Sequence, residues 1–177
     1  MQQAKKDICL WLKEDRNPDA FFTTMFDLYA LPSDFPGYEE ARGTGDPRKR
    51  VATLEEAMRQ DVDHLRFVSH IQLHEFETLL LADPEKLAHE YFEHDSAIRN
   101  LVKMASGFES PELIDDGDET APSKRIVREI PEYAGMKTSA SPLVAEKIGL
   151  SVLREKCRHF SEWLHNLEMI AQGHSIK

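Results

Sequence analysis

Three carboxylates in this sequence stand in contexts that suit metal binding or catalysis. Asp27 lies in the apolar run FFTTMFDLY, which predicts a buried strand over residues 20–28 with Asp27 near the carboxyl end, the edge where open α/β sheets bind ligands. Asp34 follows in the proline-braced turn PSDFPG, which can fold it back beside Asp27. Together they would offer Mg²⁺ or Mn²⁺ the oxygen ligands that these ions prefer. The structural alternatives are an N-cap or salt bridge for Asp27 and an Asx turn for Asp34.

The third carboxylate, Glu77, belongs to QLHEFETLLLAD, which predicts a helix that ends at Asp83-Pro84. Glu77 falls within the apolar face of that helix, and Glu75 points the other way; the face consists of Leu73, Phe76, Leu80 and Leu81. A glutamate among apolar side chains must be protonated, paired or bound to a metal. Glu77 is therefore either a metal ligand or half of a structural pair with Arg or Lys.

Two cations, Lys124 and Arg125, stand at the start of the predicted short helix APSKRIVREI, directly after an acidic segment. Positive charge in a first helical turn opposes the helix dipole, so these side chains are expected to serve something outside the helix. A phosphate is one such partner, and a salt bridge to the neighbouring acids is the commoner one.

Several familiar motifs are absent. His74-Glu75 does not begin an HExxH zinc motif because residue 78 is threonine, and GTGDPRKR lacks the Gly-Lys-Ser/Thr of a P-loop. No GxSxG nucleophile turn occurs, and the two cysteines rule out a disulfide framework and four-cysteine zinc modules.

The pattern of the first half predicts two strands among helices. Residues 3–14 form an amphipathic helix, residues 37–50 a loop with clustered arginines and lysine, and residues 65–71 a second strand. Thr53 and Glu56 have the spacing of a capping box, which predicts that a helix begins there and runs to about Val62.

The second half is predicted to be helical after a poorly patterned acidic segment. Ser141 as N-cap, Pro142 at the first position and Gly149 as the stop delimit one helix, and another follows. The fold class is therefore α/β, with a small parallel sheet flanked by helices and a helical C-terminal part. We predict one domain over residues 1–177, comprising an α/β part (1–90), the acidic segment (91–122) and the helical part (123–177).

The overall charge argues against recruitment of nucleic acid by the bulk surface. There are 22 basic and 32 acidic side chains, so the chain carries a formal charge of −10 and repels phosphate on average. Nucleic acid would need a local basic patch or a bridging metal. No apolar stretch is long enough for a membrane helix, and the start is too polar for a signal peptide, so a cytoplasmic protein is expected.

Four stretches, in this order, resemble an uncharacterised bacterial family: TTMFDLYALPSDFPG, RFVSHIQLHEFETLLLADP, LIDDGDETAPSKRI and IGLSVLREKCRHFSEWL. That family is a domain of unknown function with a Toprim-like fold, often encoded beside an ABC- or AAA-type ATPase in mobile or defence-linked loci. The resemblance spans about residues 20–166. It implies Mg²⁺-dependent cutting or joining of nucleic acid, with Asp27 and Asp34 matching the family's aspartates. Glu75 and Glu77 fall in one family motif without a known role, and Lys124 and Arg125 fall in another.

The chain departs from the family at its start. The family glutamate sits in a V-E-G-x-T-E stretch upstream of the first helix here, and this sequence has no Glu-Gly pair. The resemblance therefore implies a member that lacks its N-terminal strand, with an exposed strand edge through which two copies could pair as a homodimer.

These observations favour a divalent-metal-dependent nuclease or phosphoryl-transfer subunit of the Toprim type. Asp27 and Asp34 would hold Mg²⁺ or Mn²⁺ with help from Glu77, and Lys124 and Arg125 would neutralise phosphate charge. The alternatives are a non-catalytic partner subunit of an ATPase and a truncated, inactive family member.

Overall fold

The computed structural model describes residues 1–114, 117 and 120–173. Its Cα packing separates two compact units, Met1–Leu73 and His74–Lys177. The predicted fold class is confirmed: the chain is a mixed α/β protein, mostly helical, with parallel strand pairs and a helical C-terminal part. No helix among the described residues is long and apolar enough to cross a membrane.

The first unit contains three helices and four short strands. The helices are α1 (Gln2–Glu14), α2 (Tyr38–Ala41) and α3 (Pro47–Val62), and the strands are β1 (Phe22–Thr23), β2 (Phe26–Asp27), β3 (Phe67–Val68) and β4 (Ile71–Gln72). β1 pairs in parallel with β3, and β2 pairs in parallel with β4. A 3₁₀ turn, Leu28–Ala30, follows β2.

Both predicted strands form at the expected places, but each is interrupted. Thr24 lies between β1 and β2, and its hydroxyl donates to the His70 carbonyl and accepts from the His70 amide, each at 3.2 Å. A side-chain oxygen thus replaces a rung of the backbone ladder, which divides one parallel pair into two short pairs.

The predicted loop over residues 37–50 is confirmed only for residues 42–46, between α2 and α3, and the capping box is wrong, although α3 ends at Val62 as predicted. Asp46 caps α3 by accepting a hydrogen bond from the Arg48 amide at 2.9 Å, and Pro47 occupies the first helical position. The Thr53 hydroxyl donates to the Lys49 carbonyl inside the helix (3.1 Å), and Glu56 is bound by Arg59. The Asp-Pro pair, and not the later Thr-x-x-Glu pattern, therefore determines where α3 begins.

The core of the first unit gathers α1, α3 and the strands, and its fully buried members include Val51, Leu54, Met58 and Ile71. Arg66 fastens α1 to this core, because its guanidinium donates to the carbonyls of Leu12 and Asp15, both at 2.6 Å. It also donates to the carbonyls of Asn17 and Ala20. One side chain thus satisfies the unpaired carbonyl groups at the end of α1 and in the loop beyond it.

The second unit is helical. It contains α4 (Glu77–Leu80), α5 (Asp95–Ala105), α6 (Pro122–Glu129), α7 (Tyr133–Ile148), α8 (Leu150–Lys156) and α9 (Arg158–Ala171), with 3₁₀ turns at Pro84–His89 and Pro111–Leu113. The core is a separate cluster that includes Leu80, Leu87, Ile114, Ile126 and Val144.

Three predictions for the second unit need correction. The helix expected over QLHEFETLLLAD shrinks to α4, because His74 takes a left-handed conformation (φ 63°) that ends any helix there. The segment 91–122 contains α5, although its acids Asp115, Asp116, Asp118 and Glu119 lie outside the described residues. Finally, α7 does not begin at Ser141 but runs through Pro142, and it ends before Gly149 (φ 78°) as predicted.

Candidate functional site

Two polar side chains stand at the carboxyl ends of neighbouring parallel strands in the first unit. Asp27 ends β2, Gln72 ends β4, and the two residues are partners in the strand register. Partners in a parallel register project to the same face of the sheet. Asp27 and Gln72 therefore share both an edge and a face, at the position where α/β folds bind ligands.

Gln72 is the more unusual of the two. It is fully buried, and no residue that the structure describes donates a hydrogen bond to its Oε1 atom. Its Nε2 atom makes a long bond of 3.4 Å to the Leu73 carbonyl. A buried acceptor without a donor costs about 1 to 3 kcal/mol, so this carbonyl oxygen is a feature that packing alone does not explain. Sequence reasoning could not identify Gln72, because a lone glutamine at a strand end belongs to no motif.

The turn that carries Asp34 packs back onto β2, as its prolines and glycine predicted. Phe35 is buried and meets the Phe26 ring edge-on, with the ring centroids 6.2 Å apart. The Asp34 carboxylate is half-exposed and accepts hydrogen bonds from the terminal amine of Met1 at 3.0 and 3.1 Å. The turn thus holds Asp34 in the same unit as Asp27, and its role as a metal ligand stays a prediction.

Glu77, in the second unit, is buried with protein partners of its own. It accepts a hydrogen bond from the Tyr133 hydroxyl at 3.0 Å and lies 3.6 Å from the Lys137 ammonium. The Tyr133 hydroxyl also lies 2.6 Å from the Ser141 hydroxyl. These contacts match the structural pair that the sequence left open as the alternative to metal binding.

Burial raises the pKa of Tyr133 far above the usual value for tyrosine, and the charge of Glu77 adds to the effect. Tyr133 therefore remains a protonated donor to Glu77 and is unsuited to act as a base.

Glu75 does not point away from the protein as the helical pattern predicted. Its carboxylate is buried and accepts from the Ser123 amide (2.8 Å) and the Ser123 hydroxyl (3.1 Å). Ser123 lies in the first turn of α6, so Glu75 caps that helix from a distant part of the chain. The helical pattern predicted the wrong direction for Glu75 because the left-handed conformation of His74 changes the direction of the chain there.

Glu112 is a second buried cap that sequence reasoning missed. Its two carboxylate oxygens accept from the His159 and Phe160 amides in the first turn of α9, each at 3.0 Å. The Glu112 carbonyl lies 3.1 Å from the His74 ring. Nearby, burial and then the charge of Glu112 raise the pKa of the Cys157 thiol, which excludes a reactive thiolate there.

The two predicted phosphate-binding cations differ in setting. Lys124 is exposed in the first turn of α6. Arg125 is half-buried, donates to the Thr120 carbonyl at 2.6 Å and lies over the Phe108 ring at 5.7 Å. Lys124 is thus available to a ligand, whereas Arg125 has at least one structural task.

A family model described as a domain of unknown function, DUF4276, matches residues 1–168. The chain belongs to the DUF4276 family. Searches of curated proteins and of solved structures returned no match to it.

The DUF4276 match runs through both compact units. Asp27 and Asp34 lie in the first unit, and Glu77, Lys124 and Arg125 lie in the second. Within the second unit, the hydrogen bonds from Ser123 to Glu75 join two of the stretches that suggested the family resemblance. Part of the HEFE and APSKR motifs therefore serves to hold α6 in place.

Proposed function

We propose that this DUF4276 chain is a divalent-cation-dependent phosphodiesterase of the Toprim type that acts on nucleic acid. The observation that carries the proposal is the pairing of Asp27 with Gln72 at the carboxyl edge of β2 and β4. A carboxylate and a buried carbonyl oxygen without a donor are both hard oxygen ligands, which is the donor set that Mg²⁺ and Mn²⁺ favour.

The residues present fit such an ion. Asp27 is half-buried and supplies negative charge, and Gln72 supplies a neutral oxygen whose missing donor a cation would replace. Asp34 is the further carboxylate of this unit that the resemblance assigns to the metal. A bound divalent cation would polarise a phosphate group and neutralise charge on it.

The cations of the second unit have a proposed role in binding substrate. Lys124 is exposed and can neutralise phosphate charge, and Arg125 keeps its place through the Thr120 carbonyl. A role for Glu77 at the metal stays a prediction, because its contacts with Tyr133 and Lys137 are those of a structural group.

The experiment is a plasmid-nicking assay with Mg²⁺ or Mn²⁺ on the wild type, Asp27→Asn and Gln72→Leu. We expect Asp27→Asn to lower the cation-dependent rate by about a hundredfold or more. Gln72→Leu should also lower the rate while raising the free energy of unfolding by about 1 kcal/mol, because it removes a buried acceptor that lacks a donor. Asp19→Asn makes the same charge change at an exposed position and should behave as the wild type.

Two results would contradict the proposal. Nicking that survives Asp27→Asn would remove that residue from the site. A wild type with no cation-dependent nicking of any nucleic acid would instead favour the alternative, a non-catalytic partner of an ATPase, which is expected to co-purify with that partner.

A further inference from the structure

The first turn of α3 carries three consecutive cations, Arg48, Lys49 and Arg50. None of the three side chains forms an ion pair with a residue that the structure describes, and they share this with Lys6, Lys13 and Arg16 of the same unit. What distinguishes Arg48, Lys49 and Arg50 is that they are consecutive and so concentrate positive charge in a chain with a formal charge of −10. We call these three residues the α3 triplet.

The α3 triplet is unfavourable for the helix that carries it. Its charges sit at the positive end of the helix dipole of a 16-residue helix, where basic side chains are destabilising. Both arginines are half-buried, and their Nε atoms are shielded from solvent without an acceptor among the described residues. The two arginines therefore retain hydrogen-bonding capacity that the described residues do not use.

The topology places the α3 triplet at the same edge of the sheet as Asp27. The segment from β2 through α3 to β3 and β4 is a crossover between parallel strands, so α3 must run opposite to the strands. Glu55, in the middle of α3, accepts a hydrogen bond from the Ile71 amide at 2.7 Å. The helix therefore starts beyond the carboxyl ends of the strands.

We propose that the α3 triplet binds the phosphate backbone of nucleic acid. Arginine and lysine are the usual phosphate contacts, and arginine can donate to a phosphate through two N–H groups. An anionic membrane is the less suitable partner, because surface-binding helices combine cations with exposed apolar side chains. Here the next apolar residues of α3, Val51 and Leu54, are fully buried in the core.

This assignment rests on the proposed function for its choice of ligand, but it needs no divalent cation. We therefore test it by fluorescence anisotropy with a labelled 30-base-pair DNA in EDTA, in which cleavage plays no part. Three phosphate contacts predict a slope of log K against log salt of about −2.7, so that affinity falls about 40-fold between 50 and 200 mM NaCl.

The test variant is Arg48→Gln/Lys49→Gln/Arg50→Gln. It should lose most of the affinity at 50 mM NaCl and flatten the salt dependence, and its thermal midpoint should not fall, because cations leave the positive end of α3. The matched control replaces three exposed cations of the second unit, Arg99, Lys103 and Lys147, by glutamine and should bind as the wild type.

Three results would overturn the assignment. The first is a wild type that does not bind the DNA at 50 mM NaCl, or that binds vesicles with anionic phospholipid instead. The second is unchanged affinity and salt slope in the test variant. The third is an equal loss in the control variant, which would show an effect of net charge alone. Loss of nicking in Asp27→Asn with DNA binding intact would leave both proposals standing, since each concerns different residues.

Discussion

Replacing Glu75 by methionine removes the acceptor of two hydrogen bonds from Ser123 while it keeps most of the side-chain volume. Glu75 and Ser123 are both buried, and the bonds are 2.8 Å from the amide and 3.1 Å from the hydroxyl. Hydrogen bonds to a charged group contribute about 1.5 to 3 kcal/mol, and the orphaned donors would stay buried. We therefore expect Glu75→Met to lower the free energy of unfolding by about 3 kcal/mol.

A double-mutant cycle with Ser123→Ala isolates the contact. Alone, Ser123→Ala removes only the hydroxyl bond and should cost about 1.5 kcal/mol. In the Glu75→Met background the same change should cost almost nothing, because the hydroxyl has already lost its acceptor. The coupling energy is then about 1.5 kcal/mol, within the range measured for residues in contact.

The assay is urea unfolding followed by tryptophan fluorescence. The chain has two tryptophans, Trp11 in the first unit and Trp163 in the second, so the Trp11→Phe background reports on the unit that contains Glu75. Ser139→Ala removes an exposed hydroxyl of the same unit and should be additive with Glu75→Met. A coupling energy below about 0.5 kcal/mol for Ser123 would refute the bond between its hydroxyl and Glu75, and capping through the Ser123 amide would be refuted if Glu75→Met cost no more than that.

Three other expectations concern stability and reactivity. Arg66→Lys should lower the free energy of unfolding by about 2 to 4 kcal/mol, because an ammonium cannot reach all the carbonyl groups that the guanidinium joins at the end of α1. Urea unfolding measures this loss, and a loss under about 0.5 kcal/mol would contradict the expectation. Glu112→Gln should lower the free energy of unfolding by about 2 kcal/mol, because the NH₂ group of the new glutamine would face a backbone N–H of α9. Thermal unfolding should show no such loss for Glu109→Gln, which changes an exposed side chain. Burial raises the pKa of Cys157, so iodoacetamide at pH 8 should modify Cys9 first, as peptide mass spectrometry can show; equal rates would be inconsistent with this.

Local patterns predicted the fold well where the determining contacts are local. The first helix, both strand positions, the turn after β2 and the stop at Gly149 all follow from residues close in sequence. The start of α3 was placed too late because the segment contains two capping signals, and the helix begins at the earlier one, Asp46-Pro47. The helix predicted over QLHEFETLLLAD is too long because periodicity cannot reveal that His74 takes a positive φ.

The same distinction between local and distant contacts applies to the candidate site. Asp27 could be placed at a strand end from its apolar neighbours, and the register with β4 agrees. Its neighbour Gln72 could not be found, since it depends on a parallel pairing between residues far apart in sequence. The same holds for Glu75 and Glu112, whose helix-capping partners lie 47 or 48 residues away.

Direct titration of Mn²⁺, followed by the loss of its free electron paramagnetic resonance signal, tests the proposed cation site without any substrate. The wild type should take up Mn²⁺, and Asp27→Asn and Gln72→Leu should each weaken this uptake by about tenfold or more. Asp19→Asn should leave it unchanged. A wild type that takes up no Mn²⁺, or an Asp27→Asn variant that binds it equally well, would contradict the proposed role of the paired strand ends.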